Sequence, residues 1–230
     1  MKRGIGELWH RRITRTAGAN PHAAVRLEDV SRAVQMMFRA GGGDARVRVV
    51  PATPQRIGGP RASLGALDGE TLALPPVLAV FDQPVLNRDL YLWLAALGAC
   101  HDGESADWIG ANLRATRRAL ARFPGLRARY RRLAEAHLAQ RPEPRRLKPA
   151  AAAAEHAIRQ ALRATLDGED GDARPGPGLQ PDAAAPVWLW LGQALPEGAG
   201  DPAEAPFRAP VDRQAHALAR VVARWTAAAR

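Results

Sequence analysis

The chemistry-bearing residues fall into three sets: a Cys100-His101-Asp102 string, an Asn87-Arg88-Asp89 triplet, and a run of arginines between Arg114 and Arg132. Thiol, imidazole and carboxylate are the components of nucleophilic catalysis. Neighbours in sequence point apart, however, and catalytic triads are assembled across a fold. The string therefore reads as a buried cysteine at a helix end. The triplet would make a ligand pocket only if its three polar groups converged; on a helix it reads as a polar rim. The six histidines are scattered, no His-Glu-x-x-His pair occurs, and a single cysteine excludes a disulfide framework or a cysteine-rich zinc site. Neither Lys2 nor Lys148 follows the glycines of a phosphate-binding loop. We assign no catalytic, cofactor-binding or metal residues, and expect a protein that is not an enzyme.

The arginines are the strongest polar signal. Between Asp107 and Lys148, twelve Arg or Lys stand against three acids, a net of +9 within a chain whose formal charge is +10. Arg114, Arg118 and Arg122 recur at i, i+4 and i+8, and Arg117, Arg127, Arg129, Arg131 and Arg132 complete the cluster. Clustered positive charge fits an acidic protein face, nucleic acid, or simply a solvated surface in an Arg-biased composition. Nucleic-acid binding calls for interleaved aromatic groups, and Tyr130 alone stands within the run.

These residues need elements to position them. The apolar face of Ile109, Leu113, Thr116, Leu120 and Phe123 predicts one helix, and Leu126, Tyr130, Leu133 and His137 predict another, joined at Phe-Pro-Gly. Before them, Asp82 as N-cap and Pro84 in the first turn predict a helix from about residue 83 to 99, apolar all round in its second half and therefore buried among other helices. Its run Leu90 to Cys100 is far shorter than the ~20 residues that span a bilayer. The basic amino-terminal stretch lacks the apolar centre of a secretory signal, so a cytoplasmic protein is expected. Further helices are read at Ile5–Ile13, Leu27–Phe38 (ended by Gly41, Gly42 and Gly43) and about 150–166. Alternation over 46–53 and 70–75 gives two short strands, a hairpin or small sheet, with Pro51 at an edge or bulge.

From 167 to 186 the composition turns to Gly, Pro, Asp and Ala without period, which reads as a flexible linker. Residues 187–230 then hold a short apolar segment and an amphipathic helix from Val211. Trp188 and Trp190, on one side of that segment, read as core strand or as an interface anchor beyond the linker. The fold class is mainly α: a helical bundle-like domain over 1–166 with a small β element at 46–75, then linker and carboxy-terminal helix.

Five stretches, Glu7–Arg15, Ala23–Asp44, Leu74–Phe81, Leu86–Ala99 and Arg118–Ala136, together resemble in order the amino-terminal region of NorD/CbbO-type bacterial proteins. The resemblance implies a cytoplasmic adaptor that works with a MoxR-type AAA+ ATPase to activate or remodel a target enzyme, nitric oxide reductase or Rubisco. Family members also carry a von Willebrand factor A domain with an Asp-x-Ser-x-Ser metal loop. The nearest string here, Asp29-Val30-Ser31-Arg32-Ala33, lacks the last serine and lies on a helix, so no metal residue is carried over. The chain reads as that helical region without the metal-site domain, either a fragment or a stand-alone relative. The Arg cluster, with Trp188 and Trp190, is its expected partner-binding set, and a nucleic-acid-binding helical protein using the face 114–132 is the alternative.

Overall fold

The computed structural model describes residues 20–53, 55–56, 61–62, 64–103, 107–167 and 184–192. The helices expected near both termini, and most of the expected linker, lie outside these residues. Among the described residues are five α-helices: α1 Leu27–Ala40, α2 Pro84–Ala99, α3 Trp108–Arg122, α4 Arg127–Gln140 and α5 Pro149–Asp167. The chain is mainly α, as its periodicities imply.

The apolar stretch is the axis of the domain. α2 packs against α1, α3 and α4, while α5 packs on α3 and α4. Every residue from Trp93 to Gly98 is buried, which is why this half shows no polar face. The N-cap is Gln83 rather than Asp82, and it makes no side-chain cap bond; Pro84 in the first turn starts the helix by fixing φ without needing a donor. The triplet is not a polar rim either. Asn87 is fully buried and bonds only backbone, accepting from the Phe81 N–H (3.0 Å) and donating to the carbonyls of Phe81 (2.9 Å) and Ala23 (2.8 Å). It ties the entrance of α2 to the segment before α1. Tyr91, one turn on, is also fully buried and donates to the Pro75 carbonyl at 2.6 Å.

The glycines after α1 have separate reasons. A side chain at Gly41 would collide with Ala99 at the end of α2, and Gly42 takes a left-handed φ of +89° that closes the helix.

The two expected strands lie side by side in a short sheet, parallel to each other and so not joined as a hairpin. β1 Val25–Arg26 pairs antiparallel with β7 Val77–Leu78. β2 Arg48–Pro51 runs parallel to β6 Thr71–Leu74, with Val49 opposite Leu72, and β5 Ala66–Leu67 flanks β6 antiparallel. Between them β3 Gln55–Arg56 and β4 Arg61–Ala62 make a separate antiparallel pair. Local alternation carries no strand direction. The intervening residues are spent on a crossover, and Pro51 sits at the end of an edge strand, where its missing donor costs little.

Replacing Asn87 with alanine strands three buried backbone groups at once. The expected loss is about 2–3 kcal/mol, read as a lower urea midpoint with an unchanged m-value.

Candidate functional site

α3 and α4 carry the arginine cluster, and the fold divides it three ways. Arg114 and Arg118 pair with Asp107 (3.7 Å) and Asp102, acids of the segment between α2 and α3, while the Arg122 Nε donates to the Ala40 carbonyl at the end of α1 (3.2 Å). Arg129 and Arg132 converge on Asp89 of α2, at 3.2 and 3.6 Å; that carboxylate is only 7% exposed, so the pair links α4 to α2. Arg127 donates to the Leu120 carbonyl of α3 (3.5 Å) and Arg131 to the Leu166 carbonyl of α5 (3.3 Å), where helix ends leave acceptors unpaired and cations are favoured. The exposed pairs contribute little stability individually, ~0–1 kcal/mol, because both partners give up hydration and side-chain freedom.

Arg117, Arg127 and Arg131 share a further feature. They line a groove of about 640 Å³ between α3, α4 and α5, walled by Leu120, Ala121, Ala128, Ala164 and Leu166. At its base the Tyr130 hydroxyl lies 2.7 Å from Thr165 Oγ1, whose own proton goes to the Leu162 carbonyl. Burial pushes the Tyr130 phenol up to about 12. Its ring is 2% exposed and packs 4.3 Å, centroid to centroid, from Trp93, so Tyr130 offers no free face to a base.

The Cys100-His101-Asp102 string does not assemble a nucleophile. Burial raises the Cys100 thiol above its ordinary value, away from the thiolate form. His101 is pushed down, chiefly by burial, and its Nδ1 accepts from the Gly103 N–H at 3.2 Å. Asp102 is held below the usual carboxylate range by its bond to Arg118 and so is committed elsewhere. Among the described residues no group of three or more His, Cys, Asp or Glu could hold a metal ion.

Trp188 and Trp190 are inside the protein, at 7% and 0% exposure. Residues 184–192 thread back over the helices and make one strand-type bridge, Gly65 with Leu191. Trp190 meets Trp108 edge to face at 5.4 Å. The backbone of the segment is held by side chains: Trp93 Nε1 to the Leu189 carbonyl (2.9 Å), Trp108 Nε1 to the Leu191 carbonyl (2.7 Å), and Asn112, which donates to that carbonyl (3.0 Å) and accepts from the Leu191 N–H (2.8 Å). The tryptophans offered by the sequence as a possible anchor are occupied in closing the core.

A buried ionic network at the other end of the segment was missed in the sequence. Arg141, past the end of α4, grips Glu155 of α5 with two bonds (2.8 and 2.6 Å), and both side chains are 1% exposed. It also donates to the carbonyls of Ala185 (3.3 Å) and Pro186 (3.2 Å), and lies 3.1 Å from His137 Nε2. Arg159 adds a bond to Glu155 (3.0 Å) and two to the carbonyls of Arg141 and Pro142. A readable signal existed: Glu155 sits on the buried stripe of α5 with Ala154, Ile158, Ala161 and Leu162, where a carboxylate requires a buried partner. Burial, then Arg141 and Arg159, drives His137 well below its ordinary value, so it stays neutral.

The chain is 40% identical over 211 residues to Protein NorD of Stutzerimonas stutzeri, covering 86% of this chain and 33% of that protein. Over that stretch the chain is similar to NorD proteins. Protein NorD of Brucella abortus is 35% identical over 224 residues, 84% of this chain and 35% of its own length, and an uncharacterized protein of Pseudomonas aeruginosa is 40% identical over 205 residues. The chain thus spans about a third of the length of the curated NorD relatives it matches. No family model and no solved structure matches it. Among the described residues, no helix is long and apolar enough to cross a membrane.

Two outcomes follow from the buried network. Glu155→Ala leaves the Arg141 charge uncompensated inside the domain and should cost about 3–5 kcal/mol in denaturant unfolding. Because the folded His137 refuses a proton that the unfolded chain accepts, stability is complete above pH ~6.5 and falls as pH drops through that value toward the lower folded pKa, by up to ~1.4 kcal/mol per pH unit. Melting curves between pH 7.5 and 5 should show this decline, and His137→Gln should flatten it, leaving the smaller slope of His101, which is shifted in the same direction.

Proposed function

We propose that the chain is a NorD-type accessory protein of nitric oxide reductase: a cytoplasmic, non-enzymatic adaptor through which a MoxR-type AAA+ ATPase acts on that enzyme. The observation that carries this reading is the 35–40% identity to NorD proteins over roughly 85% of the chain. NorD names among its relatives favour nitric oxide reductase over Rubisco as the target. Two further observations support it. The string with the most catalytic look has a thiol held protonated by burial and a carboxylate committed to arginine. The excess positive charge gathers on α3 and α4, where it would speed encounter with an acidic partner and fix its orientation more than it would add affinity.

The nucleic-acid alternative keeps the charge but loses its aromatic support, since Tyr130 is packed against Trp93. Nuclease separates the two readings. A tagged full-length chain drawn from native lysate after nuclease treatment should bring down the AAA+ ATPase and reductase subunits. If nuclease removes every protein partner and the untreated eluate carries nucleic acid, the adaptor reading is overturned.

A further inference from the structure

We infer that the groove between α3, α4 and α5 is a docking slot for an acidic, aliphatic-bearing segment of a partner protein, an inference that rests on the adaptor reading and places its contact.

Three features of the groove select that occupant. The first is charge: Arg117, Arg127 and Arg131 line it against a single acid, Asp167, so it attracts carboxylates. Arg127 and Arg131 each spend one hydrogen bond on a helix-end carbonyl, which fixes the guanidinium while leaving further N–H donors for a ligand. The second is the wall. Leu120, Leu166 and the alanines of α3, α4 and α5 form an apolar lining at the scale of a side-chain or small-ligand pocket, ~300–1,000 Å³. A site for bare anions would not need it; a leucine or valine beside a glutamate would fill it. The third is what the groove lacks. Its one aromatic residue, Tyr130, is buried, so a nucleobase finds nothing to stack on.

The remaining arginines do not compete for this role. Arg114 and Arg118 are already paired with Asp107 and Asp102, Arg129 and Arg132 with Asp89, and Arg122 lies outside the groove with its Nε on the Ala40 carbonyl. The slot is therefore narrower than the basic face, and only part of the cluster should matter to a partner.

The test uses the full chain and a short fluorescent peptide of glutamate and leucine, read by anisotropy at moderate salt, with a lysine–leucine peptide and a single-stranded oligonucleotide as comparisons. The acidic peptide should bind, and Arg127→Ala with Arg131→Ala should weaken it about tenfold or more. Ala128→Glu, an exposed substitution that sets a carboxylate on the groove wall, should do the same without loss of melting temperature. Arg114→Ala with Arg118→Ala should leave binding within about twofold. Equal losses from the 114/118 and 127/131 pairs, no binding by the acidic peptide, or tighter binding of the oligonucleotide would each overturn the slot.

Repeating the pull-down with the same variants separates the two readings. If ATPase and reductase are recovered and Ala128→Glu changes nothing, the slot is wrong and the adaptor reading stands. If the peptide binds through Arg127 and Arg131 but neither partner is recovered, the slot stands and the adaptor reading falls.

Discussion

The described domain depends on one grip: side chains of two helices, α2 and α3, and of the turn after α4 hold the backbone of residues 184–192. Trp93, Trp108, Asn112 and Arg141 supply six hydrogen bonds to main-chain groups of that segment. Each is buried, so removing any one of these side-chain groups while the segment stays in place would leave a backbone donor or acceptor unpaired in the interior, at about 1–3 kcal/mol. Asn112 imitates a strand: its amide offers one donor and one acceptor to Leu191 as a neighbouring backbone would. On the side of Leu191 away from Gly65's backbone bond to Gly192, a helix side chain thus takes the part of a strand.

The ionic network at the opposite end applies the same logic to charge. Arg141 is tolerable inside because Glu155 takes two of its donors, His137 lies beside another, and two carbonyls accept from the rest. A neutral His137 is part of this arrangement, since a second cation beside Arg141 and Arg159 would undo it. Charge on the outside is arranged differently. The arginines of α3 and α4 brace helix ends and pair with Asp89, Asp102 and Asp107, so much of the cluster is held in fixed orientations by the domain itself.

How much of this was legible follows from which interactions are local. The periods in α1, α3 and α4 and the all-round apolarity of α2 are properties of ten to twenty consecutive residues, and they placed the helices to within a residue or two at most ends. The direction of β2 against β6 depends on a crossover, which alternation does not encode. Asn87 looked like rim because polarity was read from the helix alone; its partners include Ala23, 64 residues away. The division of the arginine cluster was hidden for the same reason, with Asp89 lying 40 residues from Arg129. The segment 184–192 read as an extended apolar stretch beyond a linker, and nothing local announced that Trp108 awaits it. Glu155 carries a local signal, a carboxylate at helical spacing on an apolar stripe, but its partner Arg141 lies 14 residues back and off the helix, so the network is not legible from the stripe alone.

That wait has a consequence in time. The ribosome delivers Trp108 83 residues before Leu191, a gap of roughly 4–16 s at ~5–20 residues per second. Within it the helices are completed at Asp167, while the site that receives Val187, Leu189 and Trp190 stays open until Leu191 arrives. The nascent chain thus passes through a stage with an apolar cleft on its flank, closed only when residues 184–192 arrive.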